Sequence, residues 1–270
     1  MKTGYYVISV FLCLVFLSCS VFAAPVGLTS EADLLESTKL FRDLNEMGLG
    51  LSLGFYADIV NEREIEIERN GEFEMDMYMA RLSLTANDRF TLYFDIGQAK
   101  DPVFSYHNLG SDIKIFYEDE SAWGTGLNVL IHRFDNNIEV GAHAGYRQYE
   151  LSLDKVMIDG AQYAPGALTN ISEDNYKEYQ AAVEIGWKAD YMRPYLGVKY
   201  SDVELGSDFT LAPQTYSAKG KRTDSNLGLF AGVTLTPELP FYKDTRQLAI
   251  NVEGRFVDEQ ALSMGVTYKF

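Results

Sequence analysis

Beyond residue 47 the chain alternates. Between Met47 and Ile59 one face carries Leu49, Leu51, Leu53, Phe55, Ala57 and Ile59, and the other Gly50, Ser52, Gly54, Tyr56 and Asp58. A repeat of two residues belongs to a strand, because successive side chains of a strand point to opposite faces. The pattern returns at Tyr78 to Leu84, Phe90 to Ile96, Trp123 to Ile131, Ile138 to Tyr146 and Tyr179 to Trp187. It continues at Leu196 to Tyr200, Leu227 to Leu235, Leu248 to Val252 and Leu262 to Phe270. Ten candidate strands result, most meeting the 9 to 11 residues that a tilted membrane strand needs. No run after the first 25 residues approaches the roughly 20 apolar residues of a membrane helix.

The connections sort by length. Ala86-Asn87-Asp88, Asp135-Asn136-Asn137 and Asp190-Tyr191-Met192 are tight turns, whereas Gln98 to Ser121 and Asp154 to Lys177 are long polar segments. Short turns on one side and long loops on the other are the asymmetry of an outer-membrane barrel. Thr236 to Thr245 is long for a turn, and Val257 to Glu259 is short for an outer loop. The expected fold is all-β, a closed antiparallel transmembrane β-barrel of about ten strands. Eight or twelve also fit the pattern. An even count leaves both chain ends on the periplasmic side.

Alternation does not say which face points outward. In a soluble lipocalin-type barrel the apolar face would line a ligand cavity. The polar faces favour the membrane reading, since they hold glycines (Gly141, Gly145, Gly228, Gly232) and charges of both signs, which suit a crowded interior. Strand edges in lipid must all be satisfied, so a closed barrel is the β solution there. The expected lumen lining is Glu139, His143, Arg147, Glu184, Lys188, Lys199, Glu253 and Arg255. These residues have two readings: a ring of charge that selects a permeant ion, or salt bridges that fill a narrow barrel.

The last strand carries a more specific signal. Leu262, Met264, Val266, Tyr268 and Phe270 alternate without a break to a terminal phenylalanine. This resembles the C-terminal β-signal read by the barrel-assembly machinery. With Pro194-Tyr195-Leu196-Gly197-Val198-Lys199-Tyr200 as the most familiar local string, residues 47 to 270 resemble small porin-like Gram-negative outer-membrane barrels of the OmpA-type transmembrane class. The resemblance implies a barrel embedded in the outer membrane and transfers no ligand or catalytic residue.

The 18 Tyr and 16 Phe then have a place, because rings with one apolar and one wet end collect at membrane interfaces. Phe90, Phe134, Tyr191, Tyr242, Tyr268 and Phe270 are expected near the periplasmic interface. Phe55, Tyr78, Tyr146, Tyr176 and Tyr200 are expected near the outer one.

The N-terminus reads as a leader. Lys2 precedes an apolar run from Tyr5 to Leu17 and small residues to Ala23-Ala24, the pattern of a secretory signal peptide over residues 1–23. A retained anchor and a lipoprotein signal ending at Cys19 are the competing readings. Cys13 and Cys19 are the only cysteines, so cleavage after Ala23 leaves a mature chain without thiols. Residues 24–46 do not alternate. Thr29-Ser30-Glu31-Ala32-Asp33 looks like a capped helix start, giving a short N-terminal helical segment before the barrel of 47–270.

Charge excludes one class of partner. A net charge of -16 lacks the clustered Lys and Arg that hold a phosphate backbone, so no nucleic acid is expected. The outer segments 61–74, 98–121, 154–178, 202–224 and 257–259 hold 22 acids against nine bases. Solvated loops account for this, as do cation bridging to lipopolysaccharide and docking of a basic partner. The expected partners are therefore outer-membrane lipid, lipopolysaccharide and the assembly machinery. The three histidines are scattered, no Ser–His–acid set shares a recognisable motif, and no zinc spacing is present. His107 with Asp101 or Asp112 is the one local protease-like candidate. No catalytic residue, metal or cofactor is assigned. The expected role is structural or narrowly porin-like, with surface binding through the acidic loops as the alternative and a barrel enzyme as the third reading.

Overall fold

A computed structural model of the protein describes residues 47–66, 70–108, 110–172, 174–206, 208–211, 214–217, 220–221, 226–237 and 248–270. The signal peptide, the helical reading of 24–46 and Tyr242 lie outside the described residues. In chain order the strands are β1 (Leu49–Glu66), β2 (Asn70–Ala86), β3 (Phe90–Asn108), β4 (Ser111–Tyr117), β5 (Glu120–Arg133) and β6 (Ile138–Leu151). There follow β7 (Leu153–Ile158), β8 (Ala161–Tyr163), β9 (Thr169–Ser172), β10 (Asp174–Trp187), β11 (Met192–Leu205) and β12 (Asp208–Leu211). The chain ends with β13 (Gln214–Ser217), β14 (Gly220–Lys221), β15 (Leu227–Leu235), β16 (Leu248–Phe256) and β17 (Glu259–Lys269).

Ten of these close into an antiparallel barrel. Its neighbours run β2-β1-β17-β16-β15-β11-β10-β6-β5-β3, and β3 pairs back to β2. The first strand therefore zips to the last, with Ser52 opposite Lys269 and Ile59 opposite Leu262. Beyond β17 the Phe270 N–H still donates to the Leu51 carbonyl at 2.9 Å. At the β2–β3 turn Asn87 and Asp88 both take positive φ, 50° and 53°, as a tight hairpin with right-handed strands requires.

The wall is inside out. Leu53, Phe55, Leu82, Leu92, Val183, Leu196, Leu229 and Val266 are exposed on its outside, whereas Asp58, Arg81, Asp95, Glu184, Lys199 and Glu253 are buried within. Only lipid makes that arrangement favourable over the height of a wall, since so large an apolar belt facing water would be costly. The lipocalin reading fails on the same observation. The barrel spans the outer membrane.

Above the membrane the polarity reverses. On β1, Leu49 to Ile59 face outward at odd positions until the pairing shifts between Val60 and Arg63; beyond it the odd residue Ile65 is buried inside. On β3, Phe90 to Ile96 face outward at even positions, and the pairing to β2 shifts between Glu74 and Asp76, at Asp101 with its φ of 47°. The even residues Phe104 and Tyr106 then lie inside. One strand between them, β2, keeps its register and changes composition instead: inward Ser83 and Arg81 give way to Met79, Met77, Met75 and Phe73, and outward Leu84 and Leu82 to Asp76, Glu74 and Glu72. β-Bulges thus turn a continuing alternation around.

The long outer segments are consequently not polar loops. The stretch from Gln98 to Ser121 contains the top of β3 and all of β4, and the stretch from Asp154 to Lys177 contains most of β7, all of β8 and β9 and the start of β10. Strands β4, β7 and β8 extend the wall upward from β3, and β12 pairs with β13 and β9. Inside this storey a soluble-type core packs Phe73, Phe104, Ile113, Ile115, Tyr149 and Tyr176, with Leu153, Val156 and Val203. Tyr176, expected in the outer girdle, is fully buried in that core because it shares the inward face of β10 with Glu178. Of the other described girdle positions, Phe55, Tyr78 and Tyr200 above and Phe90, Phe134 and Tyr191 below are exposed, and Tyr146, Tyr268 and Phe270 are half-buried.

Candidate functional site

The lumen is the place where the sequence concentrates chemistry, and it is filled in layers. Nearest the periplasm, Arg193 at the start of β11 reaches two strands. Its Nε donates to Glu139 at 2.7 Å and its Nη2 to Glu184 at 2.5 Å. The Nε of Arg133 holds the other oxygen of Glu139 at 2.8 Å. Beside them the Tyr195 hydroxyl donates to Glu253 at 2.9 Å and accepts from the Asn251 amide.

The middle layer centres on Asp95. Arg81 binds it with Nε and Nη2, both at 2.8 Å, and the Tyr56 hydroxyl donates to it at 2.7 Å. The guanidinium also lies over the Tyr93 ring, 3.8 Å from its centroid. Such a two-pronged, desolvated pair is strong once made, and breaking it strands a charge. His143 completes this layer, its Nδ1 2.7 Å from Asn128 Oδ1 and its ring stacked on Tyr93.

In the upper layer four cations face four carboxylates. Arg63 touches Glu178 at 2.9 Å and also contacts Glu259 and the Tyr176 hydroxyl. Arg147 donates to Asp58 at 2.6 Å, Arg255 lies 2.7 Å from Glu259, and Lys199 lies 2.9 Å from Asp258 and also contacts Glu259. Two of the acids come from the shortest outer connection. Val257 takes a φ of 82° and is exposed, which turns Asp258 and Glu259 back into the barrel. Gly228 is required opposite, since a Cβ there would collide with the Asp258 carboxylate.

Seven of the eight expected lining residues therefore sit in these layers. Lys188 does not: it follows Trp187, the last residue of β10, and its N–H binds the Asn137 carbonyl at 2.8 Å in the periplasmic turn region. The alternation points it inward, but the strand ends too soon to carry it into the lumen. The strongest partners were not singled out from sequence. Asp58, Arg81, Asp95 and Arg193 follow from the same parity, whereas Arg63 sits beyond a bulge. Glu178, Asp258 and Glu259, counted among the acids of the outer segments, are buried in the lumen. The terminal residues Leu262, Met264, Val266 and Tyr268 share the outward register of β17.

Together the layers can hold charge but offer little room. A void of about 10 Å³ lies among Arg81, Tyr93, Asp95, His143, Arg147 and Gln180, at the margin of what one water needs. The Gln180 amide nitrogen beside it is buried and without a hydrogen-bond partner among the described residues. Outside the membrane, His107 and Asp112 do meet, at 2.8 Å across the β3–β4 hairpin, but both are well exposed. Among the described residues no cluster of three His, Cys or acidic groups has the geometry of a metal site.

No protein-family model matches the chain, and no curated protein matches it in sequence. Among solved structures it is similar to the translocator domain of the autotransporter NalP from Neisseria meningitidis, with a TM-score of 0.45 and 10% identity over 85% of this chain and 94% of that one. It is also similar to the outer-membrane protease OmpT from Escherichia coli, with a TM-score of 0.42 and 11% identity over 82% and 96% of the two chains. For the outer-membrane protein OprG from Pseudomonas aeruginosa the TM-score is 0.39, with 10% identity over 83% and 96%. Likenesses this slight carry no argument about activity.

Proposed function

We propose that the barrel is closed to solute flow and serves as a membrane anchor that holds a folded β extension at the cell surface. The observation that carries this reading is the series arrangement in the lumen: three layers of buried, ion-paired charges lie beneath an apolar core. An ion would have to separate Arg81 from Asp95, or Arg63 from Glu178, and then cross a storey that solvates no charge. Planar-bilayer recording tests it. The expected result is a silent protein; ion-sized steps whose selectivity changes in Glu184→Gln would overturn this reading in favour of a narrow porin, to which the small polar void would belong.

A second reading places binding on the outside of the extension. Outward Glu62, Glu64, Glu72, Glu74 and Asp76 form an acidic face on β1 and β2. A basic partner retained by the wild type at low salt and lost on reversal of Glu72 and Glu74 to Lys would support it.

A further inference from the structure

The outer wall across β5, β6, β10 and β11 is stratified. Register places Thr125, Tyr146, Tyr179 and Asp202 side by side on four adjacent strands. One pair higher stand Trp123, Gln148, Lys177 and Glu204. One pair lower stand Leu127, Ala144, Ala181 and Tyr200.

Three of the rings hold one another. Trp123 and Tyr146 have centroids 5.3 Å apart and Tyr146 and Tyr179 4.9 Å apart, so a continuous aromatic shelf crosses three strands. The Tyr146 hydroxyl is tied to Gln148 at 2.6 Å, which fixes the tilt of the central ring. Directly beneath, Ala144 and Ala181 are opposite each other, and the wall is recessed there between the larger Leu127 and Tyr200. Above the shelf, Lys177 makes no side-chain hydrogen bond or ion pair among the described residues, and Gln148, Asp202 and Glu204 supply acceptors.

We propose that this wall is a binding site for a glycolipid of the outer leaflet. The inference rests on the transmembrane reading of the barrel. An acyl chain occupies the Ala144–Ala181 recess, where small side chains let it approach the backbone. The apolar face of a headgroup sugar lies on the Trp123–Tyr146–Tyr179 shelf, since rings with an apolar face and a polar edge suit a ligand of the same character. Sugar hydroxyls donate to Asp202, Glu204 and Gln148, and Lys177 meets a headgroup phosphate. An ordinary aromatic girdle would need no recess of two small residues directly beneath its packed rings.

The test is native mass spectrometry of the full barrel in neutral detergent, titrated with lipid A bearing core sugars and, in parallel, with phosphatidylglycerol. The sugar-bearing lipid is expected to bind about tenfold more tightly than phosphatidylglycerol, and free core oligosaccharide to compete only weakly. Tyr146→Ala should weaken it about fivefold, Ala144→Leu about threefold, and Phe55→Ala on the far wall not at all. Should Tyr146→Ala fail to fold, Ala144→Leu decides, because it adds apolar surface where lipid already lies. Equal binding of the two lipids, or an equal loss in Phe55→Ala, overturns the proposal and leaves a plain girdle. A protein that stays soluble without detergent and binds neither lipid would instead overturn the transmembrane reading itself.

Discussion

Arg63 on the first strand of the barrel shares its guanidinium with Glu259 on the last, so the seam where the barrel closes is tied by a buried ion pair as well as by the backbone ladder. The same guanidinium reaches across to Glu178 on β10. Arg63→Met should therefore leave Glu178 with only the longer contacts to Arg147 and the Tyr176 hydroxyl, and Glu259 with Arg255 and Lys199 alone, at a cost of about 2 to 3 kcal/mol. Urea unfolding in lipid vesicles measures it. Adding Glu178→Gln to that variant should recover part of the loss, and an unchanged midpoint in the single variant would show that the tie contributes nothing.

The inward turn at Val257 and Asp258 depends on an empty position across from it. Gly228→Val should push the Asp258 carboxylate away from Lys199, costing about 1 to 3 kcal/mol for the overpacking alone. Limited proteolysis should then cut at this turn, which the wild type should resist.

The outer storey has its own core and should fail separately. Phe104 is fully buried there, stacked 5.5 Å from Tyr106. Phe104→Ala should destabilise the storey by about 3 to 5 kcal/mol. Hydrogen exchange is expected to rise across β4 and β7 while the membrane-spanning segments stay protected and the heat-modifiable gel shift persists.

Two exposed carboxylates near the outer hairpins should titrate low. The Asp101 N–H and then the Lys100 ammonium hold Asp119 below the usual carboxylate range, and the Asp112 N–H followed by the Ser111 hydroxyl does the same for Asp159. A lowered folded-state pKa gives stability that is present above the ordinary carboxylate range and is lost as pH falls through the lowered value. Carboxyl-carbon NMR titration should place both midpoints below that of an unfolded Asp, and Lys100→Met should move Asp119 upward.

The terminal strand supplies a prediction about assembly. Phe270 lies beyond the last residue of β17 and donates its N–H to Leu51. Phe270→Ala in cells should lower the fraction of heat-modifiable, folded barrel, whereas refolding of the purified variant from urea into detergent should proceed at close to the wild-type rate.

The strand count, the closure and the inward charges were legible because one rule, the period of two, governs all of them. Spacing grouped Leu49 to Ile59, and Leu262 to Phe270, each on one face, and the glycines and charges of the polar faces said which face turns inward. What that rule hides is a change of phase. Nothing in the string around Val60 to Arg63 marks an extra residue, so Arg63 could not be placed beside Glu178 and Glu259. The outer strands were hidden for a related reason. Phe104, Tyr106, Ile113 and Ile115 alternate too, but they are apolar toward the inside, and they are interleaved with Ser105, His107 and Lys114, which give the segment the composition of a loop. The pairing of Arg193 with Glu139 and Glu184 was inaccessible in another way, since period fixes the face of a residue but not which partner across the lumen it reaches.

The bulges at Val60 to Arg63 and at Asp101 have a consequence for how such a wall can vary. Each acts as a waterline: below it an alternating sequence clothes itself in lipid, and above it the same alternation builds a water-soluble core. Shifting the extra residue by two positions along a strand would raise or lower that waterline by one pair without any change in composition. On β1 and β3 the height at which the chain leaves the membrane is therefore written in the position of an insertion, and on β2 between them in the identity of the side chains.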